Sequence, residues 1–88
     1  MNHYKTARRA YREGDLHNAV RQFRLWLNDH PQDTTARYDL AATYFKLGEL
    51  QSSERTMREA LDIDDQFARG WALLATIQAA QGQLGTPI

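Results

Sequence analysis

Few residues in this 88-residue chain have types and spacing that could do chemistry. Three histidines, His3, His17 and His30, fall in three separate segments with no pair at i, i+4, and there is no cysteine. A zinc site needs several such ligands converging, and this spacing offers no start on one. Asp62-Ile63-Asp64-Asp65 opens like a calcium-binding loop. That loop needs glycine at its sixth place and a bidentate acid at its twelfth, where this chain has Phe67 and Leu73. The acids therefore read as the end of one helix and the cap of the next. Ser52, Ser53 and His17 supply atom types for nucleophilic catalysis, yet no acid is placed to orient the base. No phosphate-cradling glycine motif occurs. The expectation is a protein that is not an enzyme and takes no cofactor or metal. What stands out instead is a set of bases among aromatics, Tyr4, Arg8, Arg9, Tyr11 and Arg12, which could hold phosphates and stack bases. The formal net charge of zero weighs against that nucleic-acid reading.

The zero hides an asymmetry. Residues 1–28 carry six bases and two acids, whereas residues 29–66 carry nine acids and four bases. A basic head and an acidic middle could steer partners or stack molecules head to tail, and solvated helix faces explain them as well. No stretch reaches the roughly 18 apolar residues of a membrane span. The first fifteen residues lack the apolar middle of a secretory signal, so a cytosolic protein is the default expectation.

The elements that must position these side chains are announced by a repeat. Gly14, Gly48 and Gly82 are spaced 34 residues apart, in the similar surroundings AYREGDLHNAV, TYFKLGELQSS and IQAAQGQLG. A fixed period of this size marks stacked supersecondary units. After Gly14, Leu16, Ala19, Val20, Phe23 and Leu27 draw one helical stripe, and Leu50, Met57, Ala60 and Leu61 repeat most of it after Gly48. Before the glycines, Ala7, Ala10 and Tyr11, then Leu40, Ala41 and Tyr44, then Trp71, Leu74 and Ala75 mark partner helices. Glycine suits the intervening turns because it adopts a left-handed backbone without the strain a Cβ brings. Pro31 and Asp33-Thr34 end one helix and cap the next.

This pattern resembles the tetratricopeptide repeat: W-x2-L-G-x2-Y, a glycine turn, A-x3-F and a closing proline. The first unit supplies Gly14-Asp15, Ala19-x3-Phe23 and Pro31; the second supplies Leu40-Ala41-x2-Tyr44, Gly48 and Ala60; the third supplies Trp71-x2-Leu74-Ala75 and Gly82. The resemblance implies an all-α solenoid of five helices, two helix-turn-helix repeats plus a C-terminal helix. It forms one domain over 1–84, with repeats at about 1–33 and 34–67, a terminal helix at about 68–82 and a tail at 85–88. Trp26 stands where the family has a small alanine, so either the first helix pair opens locally or the indole lies partly outside.

By function, the resemblance implies a protein-interaction adaptor or assembly scaffold with a groove lined by the first helices of successive repeats. Its places fall on Tyr4, Arg8, Tyr11 and Arg12, then Tyr38, Ala42, Phe45 and Lys46, then Arg69, Ala72, Thr76 and Ala79. Helical spacing independently puts Tyr4, Arg8 and Tyr11 on one face, and likewise Tyr38, Ala42 and Phe45. Tyr11 and Phe45 could equally be core. Such a wall suits a peptide or partner helix with aromatic or aliphatic anchors and acidic flanks. A subclass of the family grips the C-terminal carboxylate of chaperones; its places fall here on Tyr4, Arg8, Asp39, Arg69 and Leu73, of which only Arg69 suits a carboxylate. That ligand is not expected. The other readings are a nucleic-acid-binding module and a structural fragment of a longer array.

The terminal helix carries two apolar stripes. Trp71, Leu74 and Ala75 are expected to pack back on the second pair, leaving Leu73, Ile77, Ala80 and Leu84 as an outward stripe at i, i+4, i+7 and i+11. That stripe would be covered by further chain or by a second copy in a symmetric dimer.

Overall fold

The computed structural model describes residues 2–85, of which Leu84 and Gly85 are described in backbone alone. Five α-helices follow one another: α1 His3–Arg12, α2 Leu16–Asp29, α3 Thr34–Lys46, α4 Leu50–Ile63 and α5 Ala68–Gly85. Several starts and turns have a local cause. Asn2 accepts the Lys5 amide at 3.1 Å to cap α1, and Asp33 accepts the Ala36 amide at 3.0 Å to cap α3. Between the paired helices the chain reverses at Gly14 and Gly48, whose φ values of 82° and 79° lie in the left-handed region. There the amides of Asp15 and Glu49 return to the carbonyls of Ala10 and Tyr44, satisfying helix-end acceptors.

Successive helices pack in sequence, α1 on α2, α2 on α3, α3 on α4 and α4 on α5, and α5 also reaches back to α3. The stack measures 48 × 29 × 17 Å, and its core comes in two sections. The first gathers Ala7, Ala10, Ala19, Phe23, Leu27, Ala36 and Leu40. The second gathers Ala41, Met57, Ala60, Leu61, Leu74 and Ile77. Phe23 and Met57 stand 34 residues apart, and both are fully buried. Small residues let the helices approach: Ala19 and Ser53 occupy one repeat place, and the Ser53 hydroxyl answers its own burial by donating to the Ala41 carbonyl at 2.7 Å.

Three details differ from, or choose among, the expectations. Gly82 does not turn the chain; it lies within α5, which continues to Gly85. A glycine turn is held by the helix that folds back after it, and none follows among the described residues. The face that α5 buries differs from the expected one except at Leu74: Leu74 is buried as expected, but Ile77 is fully buried and Leu73 and Ala80 partly so, while Trp71 is 50% exposed and Ala75 is exposed. The reason lies at Gly70, where a Cβ would come within 2.9 Å of the Met57 side chain and 3.1 Å of Leu61. This close seat on α4 fixes which stripe turns inward. The Leu84 side chain and tail residues 86–88 lie outside the described residues. Trp26 is half-buried at the edge of the first core, stacked on His30 at 3.7 Å with its Nε1 donating to Asp33 at 2.9 Å. The indole therefore lies partly outside and the first pair does not open.

Candidate interaction surface

The odd-numbered helices share one side of the stack. Tyr4 of α1 and Asp39 of α3 meet there, the phenol donating to the carboxylate at 2.7 Å, and Arg8 one turn along α1 donates to the same phenol oxygen at 3.2 Å. The Tyr4 ring sits edge-on to Phe23 at 6.0 Å and tilted against Trp26 at 5.7 Å, which anchors the network in the first core. Burial between α1 and α3 pushes the Asp39 carboxyl above the ordinary Asp range, while the Tyr4 hydrogen bond and the Arg8 and Arg69 charges pull the other way. Burial, then the Asp39 bond, likewise raises the Tyr4 phenol.

Around this junction cations lie over rings. Arg8 stands 5.8 Å over Tyr4, Lys46 of α3 stands 5.3 Å over Tyr11 of α1, and Arg69 of α5 stands 5.1 Å over Tyr38 of α3. Arg69 is also 5.5 Å over Phe67, whose ring meets Tyr38 edge-on at 5.6 Å. Two of these pairs bridge neighbouring odd helices and so tie the face together, at about 0.5–1 kcal/mol each for exposed cations. Between α1 and α3 the surface dips into a hollow of about 270 Å³ lined by Arg8, Tyr11, Arg12, Phe23, Tyr38, Asp39 and Ala42.

The expected groove residues distribute plainly. Tyr4, Tyr11, Tyr38, Ala42 and Phe45 are half-buried, each aromatic packing one edge on a core section. Arg8, Arg12, Arg69, Ala72, Thr76 and Ala79 are more open to solvent. The structure brings Tyr4, Arg8, Tyr11, Arg12, Tyr38, Ala42, Lys46 and Arg69 into this hollow or its bridges. Ala72 and Thr76 share its side of α5 by helical spacing, without a contact to it. Two contributors are not evident from the sequence. Asp39, which by its place in the repeat reads only as a repeller of carboxylates, is the acceptor that orders Tyr4. Phe67 stands where the first repeat has Asp33, and that substitution of a ring for a cap residue is the available signal.

A depression of about 290 Å³ lies on another side, lined by Arg24, Arg37, Arg55 and Glu59 among others; Arg37 is spent there on Glu59 at 3.2 Å and on the Pro31 carbonyl at 2.9 Å. Among the described residues no group of three His, Asp or Glu could hold a metal ion, and no helix is long and apolar enough to cross a membrane.

Among proteins of curated function, none matches this chain. The tetratricopeptide repeat family model matches residues 10–77, from the end of α1 to the middle of α5. With that match over most of its length, two glycine-turned helix pairs in 34-residue register and a fifth helix stacked on them, the chain belongs to the tetratricopeptide repeat family, whose general role is in protein–protein interaction and scaffolding.

Proposed function

We propose that the side shared by α1, α3 and α5 is a groove that holds an extended peptide or partner helix with acidic residues around an aromatic or aliphatic anchor. The observation that carries this reading is the set of cations laid over rings, Arg8 on Tyr4, Lys46 on Tyr11 and Arg69 on Tyr38. Each ring keeps its cation at a defined place, and each cation keeps N–H groups free for a carboxylate. The hollow between Tyr11, Phe23, Tyr38 and Ala42 offers an apolar floor for one anchor side chain. Asp39, engaged by Tyr4 and faced by Arg8 and Arg69, leaves the local balance positive. The same packing disfavours single-stranded nucleic acid: Tyr4 is committed to Phe23, Trp26 and Asp39, and Tyr11 is covered by Lys46, so neither tyrosine offers a free face to a base.

A peptide-display selection tests the reading. Retained sequences should be rich in Asp and Glu beside Phe, Tyr, Leu or Ile, and binding should weaken at least tenfold in Arg8→Glu/Lys46→Glu with the helical circular dichroism unchanged. Selection of basic peptides, or binding indifferent to that double substitution, would move the ligand surface elsewhere.

A further inference from the structure

Helices α2 and α4 each pack on α3, and residues of all three line the depression of about 290 Å³ on that side of the stack. Three guanidiniums reach it, Arg24 from α2, Arg37 from α3 and Arg55 from α4, against one carboxylate, Glu59. Arg37 holds that carboxylate at 3.2 Å and donates its other terminal nitrogen to the Pro31 carbonyl, while its buried Nε finds no acceptor among the described residues. Buried donors are seldom left unmet without a water or an ion to answer them. Arg24 and Arg55 have no carboxylate partner among the described residues. The repeat shows why for Arg24. Its counterpart 34 residues on, Arg58, has Glu54 and Asp62 one turn to either side and pairs with Glu54 at 2.8 Å. In α2 the same flanking places hold Val20 and Asn28, so each acid that would engage Arg24 on its own helix is replaced by a neutral residue. For Arg55, the acid one turn on is Glu59, already committed to Arg37. Glu54 and Asp62 line the neighbouring outer hollow of α4 and not this depression.

We propose that this depression binds a phosphate dianion, free or as a monoester, with Arg24 and Arg55 gripping it from the α2 and α4 walls. Three guanidiniums and one carboxylate leave a local charge of +2. A phosphoryl monoester carries about −1.5 to −2 at pH 7 and matches it. A carboxylate carries a single charge, and its two oxygens fill one guanidinium fork. A tetrahedral phosphoryl group has oxygens enough to meet forks from two helices at once. Asn28 of α2 and Thr56 of α4 add an amide and a hydroxyl to the same lining. Arg37 supplies the third positive charge from the floor. A nucleic-acid phosphodiester, with one charge per phosphate, is the weaker match. The site lies apart from the groove of the proposed function, which is on the side shared by α1, α3 and α5, so the two can be occupied together.

The probe is inorganic phosphate, titrated into the labelled protein at constant ionic strength and followed by amide and guanidinium resonances. A dianion of this size should half-saturate the site on the order of 1 mM. The Arg24, Arg55 and Thr56 resonances should move together to saturation while those of Tyr4 and Arg8 do not. Acetate should bind at least tenfold more weakly. Arg24→Gln/Arg55→Gln, at two exposed positions, should weaken phosphate at least tenfold with the helical circular dichroism unchanged. Lys5→Gln/Arg9→Gln removes the same charge from the exposed face of α1 and should leave phosphate binding as it was. Glu59→Gln should tighten it. The tripeptide Gly-Ser-Gly with phosphorylated serine separates the sources. Binding as tight as that of phosphate assigns the site to a phosphorylated partner chain, and exclusion of the tripeptide assigns it to a small free phosphate. No saturable shift at about tenfold the expected concentration, equal binding of acetate, or an equal loss in the Lys5/Arg9 variant would overturn the proposal. So would an oligonucleotide without terminal phosphates that bound more tightly than phosphate and was lost with Arg24 and Arg55, since the site would then read a phosphodiester.

Discussion

Helices α3 and α5 occupy the same phase of the 34-residue repeat, yet α3 is flanked on both sides and α5 on one. Ala41 and Ala75 are the same residue in the same place, and the first is fully buried while the second is exposed. A repeat position specifies which neighbour a side chain would meet, and whether that neighbour exists is a property of the stack. In a solenoid the stability of a unit is shared with the units beside it, so the same substitution should have different consequences in the two helices.

The largest effect should come from the inner face of α5. Ile77→Ala empties a fully buried site and should cost about 2–5 kcal/mol, read from the denaturant midpoint, whereas Trp71→Ala should cost about 1 kcal/mol or less. If the two were reversed, α5 would sit on the stack by its other stripe. Next comes the alanine pair: Ala41→Leu overpacks the second core section and should cost about 1–3 kcal/mol, while Ala75→Leu should fall within about 0.5 kcal/mol of the parent. Equal costs would mean that the face of α5 bearing Ala75 is already covered.

The glycines should differ in sign. Gly48→Ala forces a Cβ into a backbone with φ of 79° and should cost about 1–2 kcal/mol, although nothing crowds the Cβ itself. Gly82→Ala, in a helix interior with open space around the Cβ, should stabilise α5 by about 0.5–1 kcal/mol. A loss of stability at Gly82 would show that it, too, needs a turn.

The smallest effect concerns Asp39, which sits on α3 between two neighbours where α5 has Leu73. Its carboxyl is raised in the folded chain, so the folded state holds the proton more tightly than the unfolded state does. The stabilisation from that proton is present below the unfolded pKa and is lost as pH rises through the folded one. Asp39→Asn should therefore flatten the stability–pH curve just above the ordinary Asp range, while leaving an amide oxygen to accept from Tyr4. A curve unchanged by the substitution would mean that the carboxyl is better solvated than its place between α1 and α3 indicates.

Much of this architecture is legible in the residues alone. Thirty-four-residue spacing of the glycines and the stripes on either side specify five helices, because helix periodicity and a left-handed turn are local properties of a few residues. The odd-helix face is legible too, since Tyr4, Arg8 and Tyr11 share a side by spacing alone. Asp39 and Phe67 are not, because their roles depend on which residue of another helix lies opposite: Tyr4 of α1 for Asp39 and Tyr38 of α3 for Phe67.

The amphipathic faces of α1, α2 and α4 can each be read directly, because one stripe is apolar and the other charged. In α5 both stripes are uncharged, and periodicity alone cannot rank them. Comparison of Trp71 with Arg37 and His3 holds the answer in principle, but its meaning depends on knowing that those places face the following helix, His3 toward Gln22 and Arg37 toward Glu59. The stack decides it: Gly70 lets α5 settle on Met57 and Leu61, and that contact turns Ile77 inward and leaves Trp71 and Ala75 open. The chain by itself determined its helices, the turns at Gly14 and Gly48 and its family, set by local backbone preference and a repeated pattern. Only the tertiary structure determined which face of its last helix is core, because burial is a relation between elements and not a property of either.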